Sequence, residues 1–281
     1  MSQQRTLGRV RTLPAPAQGQ FGPDHRVIEV IRQDEWADAD PFILLMDDRI
    51  RGHFQGGPHP HTGMETVSFL VDGRLGLENG GEGTLQPGDV EWTSTGKGII
   101  HGKRTDAKLD FRLLQLWVTL PKAERWAEPD HQYIPQHDAL VRRENGVEVK
   151  LYSGRSGELK SPTRNHVPVT VVALTLEPGA HVDQDAPLSH NGFFYVLEGS
   201  AEVGGKALGV GQVGWLDRPE APTGDAVIRV ANAGQGPLRV LFYSGVRQNI
   251  PLVTDGPFVG DTPDDIQRAF RDYRAGGFRA Y

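Results

Sequence analysis

A chain of 281 residues with a formal net charge of −6 and no cysteine is long enough for one large or two smaller packed domains. It has neither a disulfide framework nor a thiolate metal site, so any metal must rest on nitrogen and oxygen ligands. No basic stripe with interleaved aromatics is present, which argues against direct nucleic-acid or anionic-membrane binding, and no apolar run is long enough to span a bilayer.

With 35 glycines and 20 prolines punctuating short Val/Leu/Phe/Thr-rich runs, the pattern predicts an all-β architecture rather than bundled helices or a wound α/β fold. Met1 to Gln20 is polar, carries Arg5, Arg9 and Arg11, and lacks the apolar stretch of a signal peptide, so a cytoplasmic location is expected. Strands are predicted at Arg26 to Ile31 and Pro41 to Met46, on either side of the acidic segment Asp34 to Asp40. His59-Pro60-His61 follows. Two histidines one residue apart point to the same face of an extended strand and can reach one ion, and His101 on a later strand would close a three-nitrogen set. Between them Thr66 to Val71 reads as a strand ending at the tight turn Asp72-Gly73, and Gly83 to Trp92 as a turn between strands. Phe111 to Leu120 is a long apolar strand stopped by Pro121.

After the polar stretch Pro121 to Pro135 the pattern recurs. Val169 to Leu176 is β-branched, Phe193 to Gly199 echoes Val67 to Gly73, and Val210-Gly211-Gln212-Val213 echoes Pro87-Gly88-Asp89-Val90. An internal duplication is the simplest reading. Aligned on those turns, Asp185 and Pro187 stand where His59 and His61 stand, so only the first half is expected to hold a metal. Finally, Asp261 to Ile266 opens a helix with acidic residues and a proline in its first turn, an apolar stripe of Ile266, Phe270 and Tyr273, and an end at Gly276-Gly277. The predicted boundaries are 1–135 for a first barrel with the metal-type site, 136–248 for a second without ligands, and 249–281 for a tail and helix packing on the body.

Taken together, Asp40-Pro41-Phe42, His59 to Ser68, Pro87-Gly88-Asp89 through Gly96-Lys97-Gly98-Ile99-Ile100-His101, Leu116 to Pro121, His190-Asn191 with Tyr195 to Gly199, and Gly256-Pro257-Phe258-Val259 resemble the pirin family of two-domain cupins across nearly the whole chain. The resemblance implies a bicupin: two jelly-roll-type β-barrels facing each other, with one mononuclear metal, usually iron, in the N-terminal barrel. It places three histidine ligands on His59, His61 and His101. It also implies a fourth, glutamate ligand two residues after the third histidine, where this chain has Lys103. Some family members oxidatively open flavonols such as quercetin; others are described as transcriptional co-regulators or partners of metabolic enzymes.

An ammonium group has no lone pair to donate, and on an extended strand Lys103 shares the face of His101. It either swings to solvent, or pairs with Glu65 in place of a metal, or acts as a neutral amine. Glu65, four residues after His61 and close to where other metal cupins carry an acidic ligand, is the candidate replacement ligand, a base for a flavonol hydroxyl, or a hydrogen-bond partner of a histidine. Trp92, Phe54 and Phe69 are candidates either for lining an apolar pocket or for the core, and Arg142-Arg143 is a solvated surface. The expected function is a metal-dependent flavonol dioxygenase taking a small planar aromatic chelator and dioxygen, with one divalent ion, iron first and nickel, copper, zinc or manganese as alternatives. The alternative is a non-enzymatic regulatory or protein-binding protein with a degraded, metal-free site.

Overall fold

Large apolar residues at every second position, bounded by glycine turns, build strands throughout the chain, and a computed structural model describes residues 3–77, 83–102, 107–219 and 223–281. In chain order the elements that matter are β1 (Leu7–Thr12), β2 (Ala17–Gln18), β3 (His25–Ile31), α1 (Trp36–Ala39), β4 (Phe42–His53), β5 (His59–His61), β6 (Met64–Gly73), β7 (Val90–Ser94), β8 (Ile99–His101), β9 (Lys108–Thr119) and β10 (Asp130–Ile134). They continue with β11 (Leu140–Glu144), β12 (Val147–Ser153), β13 (Val169–Leu176), β14 (His190–Glu198), β15 (Gln212–Leu216), β16 (Leu238–Val246), β17 (Val253–Asp255), β18 (Phe258–Gly260), α2 (Pro263–Arg274) and β19 (Arg279–Ala280). The architecture is the expected all-β bicupin, with a short C-terminal helix.

Two units form, and the ends of the chain are exchanged between them. One comprises Ala15–Asp138 with Gln248–Tyr281; the other comprises the residues up to Pro14 with Ala139–Arg247. The division therefore differs from the contiguous one predicted. Residues up to Pro14, expected in the first barrel, lie in the second unit because β1 pairs antiparallel with β15, supplying the ladder partner that an edge strand otherwise lacks. The tail after Arg247 is built into the first unit.

In the first unit a seven-stranded sheet runs β10-β7-β6-β9-β4-β3-β2, and a small separate sheet runs β19-β8-β5. One face of β6 carries Thr66, Ser68 and Leu70; opposite them on β9 stand Trp117, Gln115 and Leu113. Toward one end this face packs Ile50, Leu70, Phe111 and Leu113 with Leu75, Leu77 and Leu85, and Phe54 and Phe21 lie against them. Trp92 and Phe69 are fully packed on the other face of the same sheet; core, not pocket lining, is their place. The second unit stacks β11-β12-β13-β16-β14-β15-β1 over a dry cluster that includes Val172, Leu174, Phe194, Val196, Ile228 and Phe242.

The tail is specified locally as well. Thr262 caps α2, its Oγ1 accepting from Asp265 N while the Asp265 carboxylate accepts from Thr262 N at 2.9 Å, and Pro263 fits the first turn, where no amide hydrogen is needed. The helix buries Ile266 and Ala269, and Phe270 meets Phe258 edge-on at 4.7 Å between ring centroids. Upstream, the buried Asp40 carboxylate accepts from the main-chain amides of Gln248 (2.9 Å) and Asn249 (2.7 Å), fixing where the tail enters its unit. Among the described residues no helix is long and apolar enough to cross a membrane.

Candidate metal centre

β5 is only three residues long, and proline at its centre leaves the flanking histidines on one face. β8 pairs with it antiparallel, setting His101 opposite His59 and Ile99 opposite His61. Directly opposed residues share a face, so the register brings all three imidazoles together. Their ring centroids lie 4.8 Å (His59–His61), 4.5 Å (His59–His101) and 4.9 Å (His61–His101) apart, and one ligand atom from each lies within 4.8 Å of the others. Among the described residues this is the group of histidines and carboxylates that could hold a metal.

The polar atoms around the rings prepare them to donate lone pairs. His59 Nδ1 donates to the Gly57 carbonyl at 2.9 Å, which leaves Nε2 as the lone-pair nitrogen. His61 hydrogen-bonds the main chain of Pro257, and its Nδ1 is buried with no hydrogen-bond partner among the described residues. Such an orphaned nitrogen is costly unless something occupies it; three clustered imidazoles fit a divalent ion of the borderline class. Burial first, then the neighbouring histidines, holds His61 well below the ordinary histidine range. Burial, then His59 and His131, brings His101 down to about 3. Both rings are therefore neutral at physiological pH, the state a ligand must have.

Glu65 does not join this group. It stands opposite Ser94 and Val118, on the face of β6 that carries Val67 and Phe69, whereas Trp117, whose ring meets His61 edge-on at 5.2 Å, shares the opposite face with Thr66. The chain turns at Gly63, whose φ of +75° breaks the strand between β5 and β6, so the faces of the two strands are set independently. Lys103 lies outside the described residues. Asp185, the counterpart of His59, accepts a hydrogen bond from Gly157 N at 2.6 Å in the second unit.

The geometry brings forward residues the motif reading passed over. On the Thr66 face of the sheet, Glu91 sits opposite Ser68, and Thr93 opposite Thr66 and His131. Glu91 is 2% exposed, and its Oε1 lies 3.2 Å from His131 Nε2, a pairing in which the ring N–H donates to the carboxylate. His131 is near enough to His101 to disfavour a charge there. The signal for Glu91 was present in Val90-Glu91-Trp92-Thr93-Ser94, where polar residues at alternate positions mark one polar strand face.

Two family models match the chain: one described as Pirin over residues 25–118, the other as Pirin C-terminal cupin domain over residues 171–279. Pirin-1 of Arabidopsis thaliana is 34% identical over 237 residues, which is 84% of this chain and 82% of that protein. Among solved structures, one from Geobacillus kaustophilus is 36% identical with a TM-score of 0.81, covering 89% of this chain and 100% of its own. Quercetin 2,3-dioxygenase from Acinetobacter baumannii is 25% identical with a TM-score of 0.83, covering 98% of each chain.

Proposed function

The chain belongs to the pirin family, and on that premise we propose that it is a metal-dependent dioxygenase of the flavonol ring-opening type, with His59, His61 and His101 holding one divalent ion. The observation that carries this reading is the convergence of three imidazoles, one with an orphaned buried nitrogen, on a single face of a two-strand register. Similarity to a quercetin 2,3-dioxygenase over 98% of both chains supports the substrate class: a small planar aromatic chelator together with dioxygen. Three histidines suit iron, nickel, copper, zinc or manganese, and the family's usual ion, iron, is the first candidate.

When bound, such an ion supplies a Lewis acid with open positions for an oxygen-bearing chelator. The chain's own residues do the rest. Trp117 packs its ring against His61 and fixes the ligand's orientation. His131, oriented by the Glu91 carboxylate, is the group placed to take the proton of a substrate hydroxyl at Nδ1, because a carboxylate-held imidazole is the pattern of a general base.

Elemental analysis of the purified protein, followed by oxygen consumption with quercetin, tests the reading. Near-stoichiometric metal with flavonol-dependent oxygen uptake is expected, and a metal-free protein inert toward flavonols after metal loading refutes it. The second reading, a non-enzymatic regulatory or protein-binding protein, is favoured by one specific feature: a lysine, Lys103, at the position of the family's fourth ligand.

A further inference from the structure

We infer that Arg125 is a positioning residue of the metal centre, a buried guanidinium that locks the loop after His61 to the C-terminal segment. This rests on the reading of His59, His61 and His101 as metal ligands. Arg125 is wholly buried, 24 residues beyond His101 in sequence and outside every motif that identifies the site. One arm, Nη1, donates to the Gly63 carbonyl at 2.6 Å and to Thr119 Oγ1 at 2.9 Å. The other, Nη2, donates to Asp261 Oδ1 at 2.6 Å, just before α2. A planar fork with several fixed donors suits this three-way tie, which a flexible ammonium reproduces only in part.

The loop it grips has little freedom left. Thr62 N donates to the Pro257 carbonyl at 3.3 Å and Val259 N to the Thr62 carbonyl at 3.1 Å, while the same Pro257 main chain hydrogen-bonds the His61 ring. Gly63 N donates to the Gly96 carbonyl at 2.9 Å. A side chain at Gly63 would bring its Cβ within 2.1 Å of the Val259 carbonyl oxygen, so the tail is pressed directly onto the turn. A second tie runs parallel: the Arg268 guanidinium of α2 stacks over Trp126, next to Arg125, at 4.4 Å from the ring centroid. The tail thus supplies the carbonyl that orients His61, and Arg125 sets the distance between that carbonyl and the loop. Outer partners that orient a ligand histidine are commonly worth 10–100-fold in metal affinity.

The test uses the full chain, stripped of metal and titrated with Co(II), reading both the dissociation constant and the visible absorption of the bound ion. Arg125→Met is expected to weaken Co(II) binding by about 10–100-fold and to alter the absorption bands; Arg125→Lys should recover part of the loss, and Asp261→Asn should weaken binding by a smaller factor. Val172→Ala, which opens a cavity in the second unit's core, is the control: it lowers the melting temperature and leaves Co(II) affinity unchanged. Should Arg125→Met fail to fold, Arg125→Lys and Asp261→Asn decide the matter. Wild-type affinity and bands in the folded Arg125 and Asp261 variants would overturn the positioning role while leaving the three-histidine site intact. A wild-type chain that binds no Co(II) would instead remove the metal reading, and this inference with it.

Discussion

His59 and His101 stand directly opposite each other across the β5–β8 pair, with ring centroids 4.5 Å apart. Forty-one residues of intervening chain are thereby reduced to a single cross-strand step, and His61 joins them because it is two residues from His59 on the same strand. The arrangement depends on register: a slip of one residue would turn the rings to opposite faces.

Substitution of His59 or His61 by alanine should therefore remove most of the bound metal and leave the fold intact, since neither side chain sets the register. Metal content by elemental analysis and a cooperative thermal unfolding curve check the two halves of this expectation. Asp185→Ala, at the equivalent place in the second unit, should leave metal content unchanged.

Glu91 and Glu65 are expected to behave in opposite ways. Glu91→Gln keeps the shape of the side chain but weakens its hold on His131, and flavonol turnover should fall by about 10²-fold at unchanged metal content. Glu65→Gln, on the other face of β6, should leave metal content as it is. Loss of metal in Glu65→Gln would show that the carboxylate reaches the site after all.

Lys103→Glu places an anionic oxygen donor two residues after His101 in sequence, where the family carries its fourth ligand. Tighter metal binding and faster flavonol oxidation are the expected results. Equal occupancy and turnover in wild type and variant would mean that three histidines suffice.

Stability should fall with acid through His190. Burial, then the charge of Arg5, lowers its pKa to about 4, and its Nδ1 lies 3.0 Å from Ser244 Oγ. In the unfolded chain the ring titrates at its ordinary value, near 6.5. Between these two values the unfolded state holds the extra proton, so the stability owed to the neutral ring is full above pH 6.5 and drains away as the pH drops toward 4. The difference amounts to roughly 3 kcal/mol for a shift of this size. His190→Asn should flatten that part of the profile, as read from urea midpoints at pH 7 and pH 5; parallel wild-type and variant profiles would assign the acid sensitivity to other groups.

The sequence made the His59-Pro60-His61 pair legible because strand alternation is local and has a fixed period. The predicted strands at Thr66 to Val71, Phe111 to Leu120 and Val169 to Leu176, and the C-terminal helix, are present for the same reason. Glu65 follows His61 by four residues, yet a glycine with φ of +75° lies between them, so spacing in sequence does not fix which face of β6 its side chain takes. His131 was hidden in a stretch read as a polar connection; its strand, β10, takes shape only by pairing with β7, about 40 residues earlier. The part Pro257 plays through its main chain, and Arg125 altogether, were the least visible of all. A main-chain carbonyl leaves no mark in the residue alphabet, and a buried arginine looks like any exposed one until its acceptors are in place.

The exchange of chain ends between the two units carries a consequence for biosynthesis. His101 and Asp261 are separated by 160 residues, roughly 8–32 s of ribosomal elongation at about 5–20 residues per second. During that interval the three histidines have been made, yet the Pro257 main chain and the Asp261 carboxylate bound by Arg125 have not, and the whole stretch Ala139–Arg247 is synthesised in between. On the reading of the three histidines as ligands, the nascent chain thus passes through a stage with its donor nitrogens made and their cradle unfinished, and metal loading is expected after the tail has emerged and docked.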